Sequence, residues 1–305
     1  LPAIVIEMNE IITYSNCPVC KSETIRFVLK AMDHTVSRQS FSIWECAECS
    51  FRFTQDIPGI SSIGQYYQSD NYISHSNTSK GVINRLYHSI RKITLKQKRR
   101  LLNSSTGSAT GSLLDIGAGT GAFASFMQSS GWRVTALEPD ETARRIARET
   151  NRINLLPSDQ LFQLADESFD SITMWHVLEH VHTLHEYIGQ LKKLLKPDGR
   201  LFIAVPNYTS YDATHYHSFW AAYDVPRHLY HFSPASMKKL LQMHGLNLVT
   251  VKPMWFDSFY VSLLSEKYKT GKGSLLKGAW TGLVSNYKAL FQKEKCSSVI
   301  YVISR

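Results

Sequence analysis

The chain predicts an α/β fold, a mostly parallel sheet of seven strands covered by helices on both faces and preceded by a small cysteine-stapled unit. Three observations carry this. From residue 112 onward, apolar runs alternate with helical patterns in the βαβ manner. The first run, Leu113-Leu114-Asp115-Ile116, passes directly into Gly117-Ala118-Gly119-Thr120-Gly121, a glycine turn that opens a helix. Ahead of both lie two cysteine pairs, Cys17-Pro18-Val19-Cys20 and Cys46-Ala47-Glu48-Cys49. The apolar runs place strands near 112–116, 133–137, 153–156, 171–174, 199–205, 246–252 and 298–303, with helices between them over 140–150, 184–195 and 234–244. No internal repeat is present.

The cysteine pairs come first in chain order. Each can turn tightly around one metal ion, and the pattern is that of a tetrahedral Zn²⁺ site; strand-like runs over 24–29 and 40–45 give the layout of a zinc ribbon at 12–57. Four thiolates fill the coordination shell, so the zinc is expected to be structural. Disulfides are the competing reading, disfavoured by the lack of a secretory leader pattern. Cys296, the fifth cysteine, reads as a packed core residue. A connector follows over 58–111. It holds Tyr66, Tyr67 and Tyr72, a helical segment 82–102 with an apolar stripe of Ile83, Leu86, Ile90, Ile93 and Leu101, and a loop over 103–111. Residues 112–305 form the sheet domain, with insertions at 207–233 and 254–297 placed to form an acceptor site or lid. The second insertion carries two amphipathic patterns split by Gly271-Lys272-Gly273, readable as a mobile helical lid or as packing or homodimer surfaces.

Of 305 residues, 43% are hydrophobic and 19% charged, an ordinary globular balance. No apolar stretch reaches bilayer length, and no charged-then-apolar leader is seen, so the expected location is cytoplasmic; Met8 is a candidate natural start. The formal charge of +9 suits an anionic partner such as RNA, a phosphorylated metabolite or a sugar nucleotide, or else solubility alone. Arg91, Lys92, Lys96, Lys98, Arg99 and Arg100 cluster on the connector helix. Without interleaved aromatics they read as a solvated face rather than a nucleic-acid patch.

The glycine turn also fits a dinucleotide fingerprint, with Ala122 in the third small position. A second apolar run, 132–137, ends in Glu138-Pro139-Asp140, setting a carboxylate at a strand tip where it can accept both hydroxyls of a ribose. The succession of Asp115, Glu138, the run Glu167-Ser168-Phe169-Asp170-Ser171-Ile172-Thr173-Met174 and the run Leu194 to Ile203 resembles a class I S-adenosylmethionine-dependent methyltransferase over about residues 110 to 305. The resemblance implies a Rossmann-like sheet, S-adenosylmethionine as donor and S-adenosylhomocysteine as product. It places Asp115, Gly117, Ala118, Gly119 and Gly121 around the methionine portion and Glu138 with Pro139 at the ribose. Asp159 is expected at the adenine amine and Trp175 against the cofactor. For each acidic residue the plain alternative is a helix cap or surface charge.

Methyl transfer is an in-line displacement in which the protein chiefly aligns acceptor, methyl and sulfur, and a hydroxyl acceptor profits from a base such as histidine. His176, Glu179 and His180 share one helical face after the fourth strand. The segment resembles that of the ubiquinone-biosynthesis O-methyltransferase and small-RNA 2′-O-methyltransferase groups, in which Glu-x-x-Glu-His helps bind a divalent metal. Here His176 replaces the first glutamate, which disfavours a hard ion such as Mg²⁺; a purely structural role for Glu179 and His180 is the preferred reading. The insertion over 208–232 is dense in histidines and aromatics and can wall an acceptor pocket, with Arg227 able to hold a phosphate or carboxylate. His176, His228 and His231 are the candidate bases. The expected activity is O-methylation of a small-molecule, sugar-nucleotide or glycan-type acceptor. Three rivals stand beside it. An RNA methyltransferase would use the ribbon as an RNA grip, a non-catalytic scaffold would bind the donor without transfer, and a nicotinamide oxidoreductase would bind a different cofactor.

Overall fold

The computed structural model describes residues 11–67 and 82–305, with side chains in the first long helix from residue 90 on. Tyr72, Met8 and the side chains of Ile83 and Leu86 lie outside the described residues.

The ribbon comprises β1 (Ile11–Ile12), β2 (Ile25–Met32), β3 (Ser40–Cys46), β4 (Arg52–Thr54) and β5 (Ile57–Pro58). β2, β3 and β4 form an antiparallel meander, and β1 pairs with β5 to close its base. After the connector comes α1 (Val82–Thr106). It runs through the start of the segment expected to be loop, because Ser104 and Thr106 return their hydroxyls to the carbonyls of Leu101 and Leu102 and so satisfy the last turn from within. Gly107, at φ 70°, then ends it.

The main sheet contains β6 (Ser112–Ile116), β7 (Arg133–Leu137), β8 (Phe169–Trp175), β9 (Leu195–Pro206), β11 (Asn247–Pro253) and β12 (Ser298–Ser304), in the order β11-β12-β9-β8-β6-β7. The strands β7, β6, β8 and β9 run parallel, while β12 is antiparallel to both neighbours. Six strands stand where seven were expected. The run 153–156 contributes a single parallel bridge, Leu156 to Leu137, since Pro157 has no N–H with which to extend the ladder.

Helices α2 (Ala122–Ser129), α3 (Glu141–Asn151) and α4 (Leu184–Leu194) are the crossovers. Asp140 caps α3 by accepting the Ala143 N–H, so a chain leaving Glu138 turns at once into a helix. The first insertion holds α5 (Tyr211–Tyr216) and the short strand β10 (Tyr230–His231), followed by α6 (Pro234–Met243). β10 pairs antiparallel with β4 and becomes the fourth strand of the ribbon sheet. Ribbon and main sheet therefore share one core, in which Cys17, Phe51 and Phe53 pack in the same cluster as Leu229, Phe232, Met237 and Leu191.

The second insertion is a hairpin of α7 (Asp257–Thr270) and α8 (Leu275–Phe291). Buried Asp212 accepts hydrogen bonds from Trp220, from Ser285 on α8 and from Ser297, which pins the hairpin to the body and favours packing over a mobile lid. Among the described residues no helix is long and apolar enough to cross a membrane.

Candidate functional site

The glycine turn leaves β6 with Gly117, Gly119 and Gly121 all in the left-handed region, at φ 67°, 56° and 75°. Two of them are demanded by packing. A Cβ on Gly117 would lie 2.3 Å from Val177 Cγ2, and one on Gly121 would lie 2.7 Å from Ile153 Cγ2. Around Gly119, by contrast, nothing described lies within 4 Å of that position, so this face of the turn is open to a ligand at the carboxyl ends of the strands. The Ala118 N–H is held by the Leu137 carbonyl. Buried Glu138 accepts the Gly119 N–H at 2.7 Å and the Asp140 N–H at 3.0 Å, and burial pushes its pKa upward. Arg144 fixes the next turn through the carbonyls of Glu138 and Pro139. Asp115, also buried, accepts the Thr173 hydroxyl at 2.7 Å, and burial raises its pKa to about 7. Asp159 is exposed in a short 3₁₀ turn beyond Leu156.

Trp175 ends β8, edge-on to Phe123, and its indole N–H has no partner among the described residues. Over its ring, at 4.0 Å, lies the ammonium of Lys98, which also feels Asp115 and Asp257; burial lowers its pKa to about 8. Its basic neighbours in sequence make Lys98 read as part of a solvated face. The signal that finds it is helical spacing, since Lys98 stands three residues after Leu95 and four before Leu102, both on the buried stripe of α1.

His176 follows β8 at φ 57°. Its Nε2 lies 2.9 Å from Asp257 Oδ2 and its Nδ1 3.3 Å from Glu179 Oε1. Burial opposes charge on the ring, yet the two carboxylates win and raise its pKa to about 10. With a carboxylate at each ring nitrogen, His176 bridges Asp257 and Glu179. The third candidate base is His231. It is buried on β10, with Nε2 3.1 Å from the Thr54 hydroxyl and its ring against Tyr223, facing the ribbon rather than open space.

His228 is brought to Glu179 and His180 instead. One donor atom from each of the three lies within 4.8 Å of the others. Nδ1 of His228 meets the Ala222 carbonyl at 2.9 Å, and Nδ1 of His180 meets the Arg227 carbonyl at 2.9 Å. A carbonyl only accepts, so each Nδ1 carries a proton there and each Nε2 is the nitrogen left to ligate, the arrangement of a metal-ligating histidine with its outer partner in place. Burial, reinforced by His228, lowers the His180 pKa to about 4. Glu179 is fully buried, and its Oε2 has no hydrogen-bond partner among the described residues. A buried carboxylate with one unpaired oxygen and two imidazoles, each offering one donor atom within 4.8 Å of the others, fits a divalent cation, and the N₂O donor set suits a borderline ion better than Mg²⁺.

Arg227 does not face an acceptor. Its guanidinium is buried and hydrogen-bonded to Asp224, Asp33, Thr35 and the Tyr66 carbonyl, clamping the insertion to the ribbon. Arg227→Met would strand Asp33 without its charge partner and should cost about 3–5 kcal/mol of stability, read as a shift of the urea midpoint; an unchanged midpoint would refute the clamp.

At the cysteines, two knuckles repeat one geometry. Lys21 N–H bonds the Cys17 carbonyl and Ser50 N–H the Cys46 carbonyl, both at 3.0 Å, with Lys21 and Ser50 in left-handed conformation. Sγ atoms of Cys17 and Cys49 lie 3.6 Å apart and those of Cys20 and Cys46 3.5 Å, and all four fall within 4.8 Å of one another. This is too far for a disulfide at about 2.05 Å and close to the edge of a tetrahedron built on Zn–S bonds of about 2.3 Å. Cys296 is buried near Ser258 and the Met254 carbonyl, and burial raises its thiol to about 11.

A family profile described as Methyltransferase domain matches residues 87–251. The chain belongs to this methyltransferase family. It is 33% identical over 130 residues to the ubiquinone biosynthesis O-methyltransferase of Rickettsia akari, covering 41% of this chain and 49% of that one. To the protein of the same name from Glaesserella parasuis it is 38% identical over 121 residues, covering 36% and 51%. The chain thus spans about half the length of these curated relatives. Among solved structures, one assigned as a sarcosine dimethylglycine methyltransferase from Galdieria sulphuraria superposes at TM-score 0.50 with 18% identity, covering 70% of this chain and 87% of that one. That likeness shows that the methyltransferase fold is shared.

Proposed function

We propose that this protein transfers the methyl group of S-adenosylmethionine to a hydroxyl of a small-molecule acceptor, beside a divalent cation held by Glu179, His180 and His228. The single observation that carries the acceptor chemistry is buried Glu179, one of its oxygens unpaired, clustered with two histidines whose Nδ1 atoms are already committed to carbonyls. Val177, two residues earlier, packs on Gly117, so this cluster abuts the donor turn.

In this reading Glu138 accepts the ribose hydroxyls, the open face of Gly119 admits the donor, and Ala118 and Pro139 shape the turn. The Lys98 ammonium receives the methionine carboxylate, Asp115 its amine, Trp175 packs on the donor and Asp159 meets the adenine amine. A cation at the triad would lower the pKa of a coordinated hydroxyl. His176, fixed between Asp257 and Glu179, keeps the carboxylate aimed at that position. The oxygen acceptor is supported by the O-methyltransferase relatives. A phosphate-bearing sugar nucleotide loses support, because Arg227 is internally neutralised. A four-thiolate Zn²⁺ completes the ribbon in a structural role.

The test supplies methyl-labelled donor, purified protein and extract of cells lacking the gene, and separates RNA, protein and organic-soluble fractions. Label should enter the organic-soluble fraction. In Glu179→Ala transfer should fall about a hundredfold or more with donor affinity unchanged. Label in RNA, or full transfer by Glu179→Ala, would overturn the proposal.

A further inference from the structure

Helix α8 is inside out. A surface helix normally buries its large apolar side chains and exposes its polar ones. Here the buried face is Gly278, Thr281, Gly282, Ser285 and Ala289. The small residues let α7 approach to backbone contact, for a Cβ on Gly278 would lie 2.8 Å from Leu263 Cα and one on Gly282 2.9 Å from Phe259 Cα. The large side chains point outward, with Leu276 85% exposed, Trp280 67%, Tyr287 61%, Leu290 62% and Phe291 75%. Together with Leu283, 50% exposed, they recur at three- and four-residue spacing and form one continuous stripe about 100° wide along the helix.

The charge around the stripe is one-sided. Between residues 271 and 295 stand Lys272, Lys277, Lys288, Lys293 and Lys295, all exposed, against a single acidic residue, Glu294. Lys277 and Lys288 are eleven positions apart and so follow one flank of the stripe, and Lys288 leans over the Tyr211 ring at 4.2 Å. Lys272 lies at one end, Lys293 and Lys295 at the other. Among the described residues no helix is long and apolar enough to cross a bilayer, and a stripe confined to one side of a helix suits a position along a membrane surface.

We propose that α8 docks this protein on an anionic phospholipid surface, its aromatic and leucine stripe entering the acyl boundary and its lysines meeting the lipid phosphates. Charge complementarity selects this occupant. Antiparallel pairing of two copies stripe to stripe would bring the two lysine flanks together, whereas an anionic headgroup layer neutralises them while the stripe leaves water. The hairpin is suited to bear the attachment. Asp212 ties it to the core through Ser285, and α7 begins at Asp257, the partner of His176, so the docked face and the rim of the candidate site belong to one rigid hairpin.

The test uses the full, zinc-loaded chain without methyl donor, so it stands apart from the outcome of any transfer assay. Protein is sedimented with sucrose-loaded vesicles of phosphatidylcholine alone or with phosphatidylglycerol added. Binding to the phosphatidylglycerol vesicles should be about tenfold or more stronger, weaken in high salt and be lost in the triple variant L276S/L283S/L290S, whose side chains face solvent. As a measurement that needs no destabilising change, Ala279→Cys carrying an environment-sensitive fluorophore should shift to the blue on those vesicles. Failure to sediment with phosphatidylglycerol, undiminished binding by the triple variant, or no blue shift would overturn the proposal. So would a wild-type dimer that the triple variant breaks while neither form binds vesicles, which would assign the stripe to a second copy.

Discussion

Glu138→Ala should weaken S-adenosylmethionine binding by two to four orders of magnitude while the chain stays folded. A carboxylate accepting hydrogen bonds from two ribose hydroxyls contributes about 1.5–3 kcal/mol per bond, and alanine removes both at once. The same carboxylate holds the Gly119 N–H at 2.7 Å and the Asp140 N–H at 3.0 Å, so the open face of the turn also loses its brace. Calorimetric titration with donor reads the loss directly, and an affinity within a few-fold of wild type would remove Glu138 from the binding site. A pH dependence accompanies it. Burial raises the Glu138 pKa, so on acidification it takes up a proton earlier than an exposed glutamate, and donor affinity should begin to decline at a correspondingly higher pH.

Removing zinc, by chelation or by Cys46→Ser, should unfold more than the ribbon. Apparent binding energies of structural zinc sites run to about 10–16 kcal/mol, and zinc at these four cysteines would not stabilise a separate unit alone. Phe51 and Phe53 pack in one cluster with Leu229, Phe232 and Met237, and β10 hydrogen-bonds to β4. Scanning calorimetry should show the single main transition of the chain displaced to lower temperature, with metal analysis reporting loss of zinc. A persisting transition at the wild-type temperature would mean that the sheet domain folds without its ribbon.

The parts of this fold legible in the sequence are those encoded locally. The cysteine knuckles, the glycine turn, the Glu138 strand tip and the alternation of β and α each declare themselves within a dozen residues, because thiolate spacing, left-handed backbone and side-chain period are short-range properties. The misses are long-range. His228 joins Glu179 and His180 across 49 and 48 residues, and no periodicity announces it. Arg227 reads as an anion-binding side chain until Asp33 arrives from the other end of the chain. Lys98 reads as solvated because its neighbours in sequence are basic, although Leu95 and Leu102 set it on the buried face. His176 reads as a base from its neighbours in sequence, while the carboxylate at its Nε2 comes from Asp257, 81 residues away.

The strand borrowed from the insertion also sets a timetable. Thr54 and the residue that covers it, His231, are 177 positions apart. A ribosome adding roughly 5–20 residues per second therefore releases β4 some 10–35 s before β10 exists. For that interval the nascent ribbon, metal-loaded or not, presents an uncapped strand edge to its surroundings. Chains truncated between residues 54 and 231 would keep that edge permanently and should self-associate through it.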